Sequence, residues 1–495
     1  MKLIAAFAVT FVLICPASAQ DTVYTVWSGN ATFPDGWVEE WSLDLQQGID
    51  DPSASILVDG GHGLKAANVV ATASEIRFSV ESVNVPPGFH CLLGRSGSDL
   101  AGSCADGDGQ EVVKIDMAVQ IERDIRPDSR PRARDIGLVV GVFRTGANNA
   151  ITDVTGVKVG HVTIDDGTDI RTGITAVVPA DGDLYARPVP AWIHSVNGYG
   201  KLIGETQVRE LGEIETPILL TCTLCVWSAA KGLAWHLMEA DYPRQHTINP
   251  VVGEVNDSWV NDMWLDPVSR EHVAAALGNA TDGPVEEGSV GAGRGTSAFA
   301  WKGGIGTSSR IVPQSLGGYT VGVLVQTNFG GNLTMNGVPV GRELGSYTYR
   351  RELADSTTTA AGESKDGGSL MIVVATDAPL GPEQLRRVAS RAILGAGRTG
   401  SFVHDSSGDY VIAFSNAESV RRDRTASGQV TVSELSHEAM SPLFAATVEA
   451  TEEAIYNAIL RATTVDGRGR VLQPIPLSRT MEVLRKYRAV PQVER

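Results

Sequence analysis

Apolar and polar residues alternate with a period of two through residues 21–120, and that alternation then gives way to longer spacings. Thr22-Val23-Tyr24-Thr25-Val26-Trp27 and Ile76-Arg77-Phe78-Ser79-Val80 place successive side chains on opposite faces, the signature of strands, and turns recur at Pro34-Asp35-Gly36 and Gly60-Gly61. No helical period interrupts them, so a small all-β N-terminal domain is expected, with a sandwich as its simplest form. Arg123 to Arg134 is charged and bears prolines, which reads as a linker or exposed arm, or as an anchor for a subunit contact. From Asp135 the pattern is mixed. Ala150–Val154 and Val157–Ile164 read as a hairpin around Thr155-Gly156, and Gly173–Pro179, Val321–Gln326 and Leu370–Thr376 read as further strands. Glu205–Leu211, Ser228–Ala240, Ser269–Leu277, Pro382–Gly395 and Thr447–Arg461 carry helical spacing, so the body is α+β or a layered α/β/α arrangement.

Composition narrows the functional classes. A net charge of −17 over 495 residues argues against nucleic acid as a partner. Lys2, an apolar run from Leu3 to Ile14, and small residues at Ala17 and Ala19 form a signal-peptide pattern over residues 1–19, with cleavage expected before Gln20. The run is too short for a membrane span, and Ile14 is a poor predecessor for a lipidated Cys15. The protein is therefore expected to be secreted or periplasmic. Export favours a disulfide between Cys91 and Cys104. Cys222 and Cys225 form C-x-x-C without a second pair or a histidine cluster, which fits packed thiols or a structural link better than a zinc or redox site. Trp27, Trp37 and Trp41 suit core packing better than a carbohydrate platform.

Several reactive constellations are missing: the phosphate loop, the Rossmann glycine spacing, H-E-x-x-H and G-x-S-x-G. His161 and His194 lie in strand-like segments, as packed or hydrogen-bonded residues do. What stands out is Glu286-Glu287-Gly288-Ser289-Val290-Gly291-Ala292-Gly293-Arg294-Gly295-Thr296, followed by Trp301-Lys302-Gly303-Gly304-Ile305-Gly306. A Gly-Ser bond in so glycine-dense a loop suits self-cleavage, because little bulk hinders attack of the Ser289 oxygen on the Gly288 carbonyl. The cut would leave Ser289 with its own α-amine, whose ordinary pKa of about 8 lets it serve as the base a serine hydroxyl needs. The developing oxyanion requires donors, such as loop N–H groups and a side-chain amide from Asn256 or Asn261. Glu286 and Glu287 are weak candidates for holding a substrate ammonium, since solvated loop charges are commoner.

Residues from about Asp135 to Pro476 resemble the L-aminopeptidase/D-Ala-esterase (DmpA) peptidase family, which includes the β-peptidyl aminopeptidases. The resemblance rests on Ala150–His161, Asn197-Gly198-Tyr199-Gly200, Glu215–Thr221, the loop Glu287–Thr296, Trp301–Arg310 and Asp377-Ala378-Pro379-Leu380. It implies a precursor cut between Gly288 and Ser289, with both chains retained in a four-layer αββα sandwich of the DmpA/ornithine-acetyltransferase type. It further implies homotetramers without metal or organic cofactor, an oxyanion asparagine at Asn261 or Asn256, and site residues at Tyr199 and Thr327. β-Peptide-cleaving members pair a serine at the latter position with a glutamate two residues on; here Thr327 and Phe329 depart from that pattern. Cys222 likewise replaces the asparagine of a common Thr-Asn-Thr-Leu run.

The expected organisation is a signal peptide at 1–19, a β-rich accessory domain at 20–122, a linker at 123–134 and a self-processing domain at 135–495. The expected function is an exported N-terminal-serine aminopeptidase acting on aminoacyl amides, esters or short peptides through an acyl-enzyme. The alternatives are an acyltransferase of the ornithine-acetyltransferase type, whose β-chains begin with threonine, and a non-catalytic binding protein.

Overall fold

A computed structural model describes residues 23–491 apart from 35, 37, 48–52, 59–61, 73, 81–87, 97–98, 123–129, 240–246, 351–352, 354–367 and 425. The signal-peptide segment and residues 123–129 of the arginine-rich stretch lie outside the described residues, as do the side chains of Trp27, Trp37 and Trp41.

The N-terminal strands are β1 (Val23–Thr32), β2 (Val38–Gln47), β3 (Ser53–Val58), β4 (His62–Ala71), β5 (Glu75–Val80), β6 (His90–Ser96), β7 (Asp99–Ala105) and β8 (Glu111–Glu122). Each pairs antiparallel with the next, and β8 returns to β1. The result is a closed meander rather than the expected two-sheet sandwich, and closure leaves fewer unpaired edges. Inward residues such as Leu43, Ile76, Phe78, Leu93, Leu100 and Ile115 form its own core, and Cys91 and Cys104, opposite one another on β6 and β7, are disulfide-bonded.

Most strands of the remaining chain build two sheets. One has the order β14 (Val251–Val255), β13 (Ile218–Cys222), β10 (Ile170–Val178), β9 (Lys158–Asp166). The other has the order β12 (Glu213–Ile214), β11 (Val189–Gly198), β20 (Gly408–Ser415), β19 (Ser369–Thr376), β18 (Thr320–Asn328), β17 (Ile305–Ile311). Strands β18, β19 and β20 are buried at every position, which is why they read as continuous apolar runs. A short pair, β15 (Ser297–Ala298) with β16 (Trp301–Lys302), follows the glycine-rich loop.

Helices α1 (Glu205–Leu211), α2 (Val226–Glu239) and α3 (Arg270–Gly278) belong to the first half of this body. A short helix α4 (Val340–Glu343) precedes α5 (Pro382–Arg398), α6 (Ser441–Leu460) and α7 (Leu477–Lys486). Helix α5 starts with proline at its first position, where no N–H is needed, and the Gln384 side chain accepts the Gly381 N–H. Helices α2 and α3 pack on the β13–β14 and β9–β10 side, and α5 and α6 on the six-stranded sheet. One apolar core lies between the sheets, with Leu220, Val255, Leu324, Met371 and Ile412 from facing strands.

Ala150–Val154 does not form the expected hairpin strand. Ile151–Asp153 is a 3-10 turn, because the Asp153 carboxylate accepts the N–H groups of Asn148 and Ala150 at 2.9 and 3.0 Å and the Ser309 hydroxyl at 2.6 Å. Those bonds offer the backbone an alternative to a ladder. The described part of the arginine-rich stretch is likewise not an exposed arm. Buried Arg130 donates to the carbonyls of Leu460 and Ile475, and Arg134 pairs with Glu453 at 2.9 Å.

Helix α6 is enclosed over most of its length, and its charges are therefore paired internally. Fully buried Arg310 meets Glu453 at 2.7 Å and Glu449 at 3.1 Å, and it also donates to Ser308 and to the Val140 carbonyl. Removing one member of a buried, hydrogen-bonded ion network strands its partners. Arg310→Met is expected to cost about 3–5 kcal/mol, measured as a lowered denaturant midpoint, whereas replacing exposed Arg209 should change stability by less than about 0.5 kcal/mol.

Candidate active site

The Gly288–Ser289 peptide sits in a three-residue turn. Two backbone N–H groups, those of Ile305 and Val290, donate to the Gly288 carbonyl at 2.9 Å each, and the Gly288 N–H donates to the Ile305 carbonyl at 2.7 Å. The Val290 bond closes a γ-turn with Ser289 at its centre. Gly288 has φ +81°, and a Cβ there would lie 2.4 Å from the Arg461 carbonyl oxygen, so both conformation and space demand glycine. Gly304 is held to the same standard from the other side, since its Cβ would lie 2.1 Å from the Gly288 oxygen.

The Ser289 hydroxyl is largely buried and bracketed by one residue. It donates to the Thr463 carbonyl at 2.9 Å and accepts the Thr463 N–H at 3.0 Å. Thr463 follows α6, 174 residues away in sequence. Because the partner atoms are backbone, no side-chain motif could have flagged it.

The two asparagines separate clearly. Asn256 is exposed, and its side chain accepts the N–H of Ser258, an ordinary turn bond. Asn261 is fully buried; its Oδ1 accepts the Arg171 N–H at 3.1 Å and its Nδ2 donates to Asp257 Oδ1 at 2.9 Å. An amide nitrogen carries two hydrogens, so Asn261 is oriented through one and keeps the other as a donor. Burial pushes the Asp257 carboxyl up to about 6, against the bond it accepts from Asn261.

Thr327 lies on β18, where its hydroxyl accepts the Gly304 N–H at 3.0 Å. It therefore fixes the glycine that abuts the Gly288 carbonyl. Two residues on, Phe329 is buried edge-to-face on Phe299, with centroids 5.1 Å apart. Tyr199 stands at the end of β11 with 70% of its surface exposed, and it hydrogen-bonds none of the residues above. Glu286 is exposed. Glu287 is committed elsewhere: it pairs with Arg132 at 2.7 Å and accepts the Thr307 N–H at 2.9 Å, while burial pushes its carboxyl up to about 7.

Three further groups shape the loop. Buried Lys302 donates to the carbonyls of Gly293 and Gly303 at 2.7 and 2.8 Å, tying the two glycine runs together, and burial pushes its ammonium well below the usual lysine range. A lysine between a tryptophan and two glycines was the sequence signal for it. Gln326 donates to the carbonyls of Ala292 and Thr221. His161 accepts from or donates to Thr175 at 2.9 Å and packs against Gly291. His194, half-buried on β11, makes no contact with this cluster and has its pKa lowered by burial and by Arg386. Cys222 and Cys225 are disulfide-bonded where β13 leads into α2, and no cluster of metal-ligating side chains occurs among the described residues.

A model of peptidase family S58 matches residues 149–472. The chain belongs to that family. It is 39% identical over 372 residues to a β-peptidyl aminopeptidase, BapA, of Sphingosinicella microcystinivorans, covering 72% of this chain and 93% of that one. It is 40% identical over 356 residues to the BapA of Sphingosinicella xenopeptidilytica, covering 68% and 86%. Among solved structures it resembles the L-aminopeptidase D-Ala-esterase/amidase of Ochrobactrum anthropi, described as a variant of the Ntn-hydrolase fold, with TM-score 0.64, 34% identity and coverage of 73% and 100%. The PH0078 protein of Pyrococcus horikoshii OT3 matches with TM-score 0.65, 43% identity and coverage of 72% and 99%. This S58 chain thus has the mixed α/β body of Ntn-hydrolase-type aminopeptidases, and its family assigns it to the hydrolases. The closed β meander precedes the matched residues.

Two outcomes follow from the geometry. On the expectation that the buried asparagine is the oxyanion donor, Asn261→Ala should lower kcat by about 10²–10³ and Asn256→Ala should stay within about twofold; steady-state kinetics on an aminoacyl p-nitroanilide measures both. Burial depresses the His161 pKa from 6.5 to about 4. The folded value lies below the unfolded one, so the stability this ring contributes is fully present above pH 6.5 and is lost as pH falls toward 4. The stability advantage of wild type over His161→Gln should shrink between pH 7 and pH 4.5 in thermal melts; a constant difference would contradict it.

Proposed function

We propose that this S58 member is an exported, self-processing serine aminopeptidase that removes amino-terminal residues from short peptides, aminoacyl amides or esters. The observation that carries the reading is the Gly288–Ser289 turn, with two N–H donors on the carbonyl and the adjacent hydroxyl bracketed by Thr463. A carbonyl polarised by two pre-aimed donors is primed for addition, because the charge that develops on its oxygen is already met. Attack by Ser289 Oγ on the Gly288 carbonyl carbon breaks the Gly288–Ser289 amide and forms an ester, with the proton passing to the departing Ser289 nitrogen. Water then hydrolyses the ester. The products are a Gly288 carboxylate and a Ser289 α-amine.

The new terminus supplies both nucleophile and base. Its amine takes the hydroxyl proton as Ser289 Oγ adds to the substrate carbonyl, and returns it to the leaving amine or alcohol. Departure of Gly288 frees the Ile305 and Val290 N–H groups, and the second hydrogen of Asn261 is a side-chain donor of the kind an oxyanion requires. Thr327 acts by holding Gly304. The acyl-enzyme is released by water, and no metal or organic cofactor enters any step.

The domain plan of the sequence supports export: a signal pattern at 1–19 and two disulfides. We assign residues 20–122 as an accessory β domain, 123–134 as its connection and 135–495 as a four-layer αββα catalytic domain. A homo-oligomer, with a tetramer as the family resemblance implies, is supported by the exposed Trp227, Trp235 and Met238 of α2 beside exposed Trp264 and Leu265.

A panel of L-, D- and β-aminoacyl p-nitroanilides tests the activity. Wild type should turn over at least one class, and Ser289→Ala should lose at least about 10³-fold while keeping the wild-type circular dichroism spectrum. Turnover that survives Ser289→Ala would refute the assignment.

A further inference from the structure

The closed meander is joined to the site by backbone. Immediately after Thr463 the chain forms a hairpin, β21 (Val465–Gly467) and β22 (Arg470–Leu472), turning at Arg468-Gly469 with φ +55° and +68°. Two successive positive φ values are those of a type I′ turn, whose twist suits a tight two-residue hairpin. The free side of β22 adds antiparallel to β4 of the N-terminal meander, with Arg470 opposite Leu64, Val471 opposite Gly63 and Leu472 opposite His62. Ten strands thereby share one sheet, and the last two come from the far end of the chain.

The same hairpin touches both halves of the candidate site. At its root, Thr463 brackets the Ser289 hydroxyl, and the Thr464 hydroxyl bonds Gln473 at 2.7 Å, closing the hairpin's base. The Gln473 carbonyl accepts the Lys302 N–H at 2.7 Å, which ties that base to the glycine loop. On its inner face Val465 and Leu472 pack with Val260 and Trp259, directly before Asn261. The Arg470 guanidinium lies 4.4 Å over the Trp259 ring, and Arg468 donates to the Ser258 carbonyl at 2.7 Å. One small element therefore contacts both the Ser289 hydroxyl and the segment leading to Asn261, and a strand of the N-terminal meander covers its outer edge.

We propose that the N-terminal β unit is a positioning module for the Ser289–Asn261 pair, acting through the Val465–Leu472 hairpin. This rests on the reading of Ser289 as nucleophile and Asn261 as oxyanion donor. A two-stranded hairpin of three-residue strands has little stability of its own; pairing with β4 holds it, and the hairpin in turn holds the Thr463 peptide and the Trp259–Asn261 segment. Arg470 is the positioning residue that links the two sides.

The test uses the full chain and small aminoacyl p-nitroanilides, after wild type has been shown to carry a Ser289 amino terminus and to turn over. An uncut, inactive wild type would defeat the underlying reading rather than the module. Arg470→Ala should lower kcat about five- to twentyfold with KM changed less than about twofold, slow the appearance of the Ser289 chain, and be largely rescued by Arg470→Lys. Gly63→Pro, which removes a donor from β4, should lower kcat similarly, and the double variant should lose little more than either alone. A Gly63→Pro protein that keeps the Cys91–Cys104 bridge and an unchanged melting temperature, yet turns over at the wild-type rate, would overturn the proposal. Should that variant not fold, Gly63→Cys with Val471→Cys decides. Directly opposed residues on antiparallel strands lie within disulfide reach, so the bridge should form under mild oxidation and preserve kcat. Its failure to form, seen by peptide mapping, would overturn the proposal as well.

Discussion

The Gly288–Ser289 peptide is pinned by backbone from three directions: Ile305 beneath its carbonyl, Val290 closing the turn, and Thr463 around the hydroxyl. Much of the surrounding structure is explicable as support for that arrangement. Gly304 and Gly288 lack side chains because each stands where a Cβ would collide with the other's backbone or with Arg461. Lys302 spends its donors on two carbonyls of the loop rather than on a carboxylate, despite the desolvation this costs. Thr327 and Gln326, adjacent on β18, brace Gly304 and Ala292 from the central sheet.

Charge is managed in the same economy. The body carries buried ions, but they are netted together: Arg310 with Glu449 and Glu453, Arg134 with Glu453, Arg132 with Glu287. Glu287 precedes Gly288, yet its bonds to Arg132 and Thr307 anchor the loop to β17 and leave it unsuited to holding a substrate ammonium. Residues 130–134, which look like a solvated tether, are thus part of the frame around the site.

The parts legible in the sequence were those written in local pattern. The buried strands β18 and β19 and helices α1, α5 and α6 announce themselves through apolar runs and helical spacing, and the glycine-dense loop announces the close backbone approach found at Gly288 and Gly304. Long-range backbone partnerships were not legible. Thr463 reaches Ser289 through main-chain atoms 174 residues away, and the β22–β4 pairing joins segments from opposite ends of the chain; neither needs a particular side chain. The Ala150–Val154 stretch misled because strand-like residues were captured by the Asp153 carboxylate. Burial, which the sequence could not supply, separates Asn261 from Asn256.

The central claim is that the reacting residue is made by the chain's own cut. Intact-mass spectrometry of the purified, denatured protein tests it most directly. The account predicts two chains, one ending at Gly288 and one beginning Ser289-Val290-Gly291, from wild type purified without added protease. A single uncut chain that nonetheless hydrolyses aminoacyl substrates would contradict it.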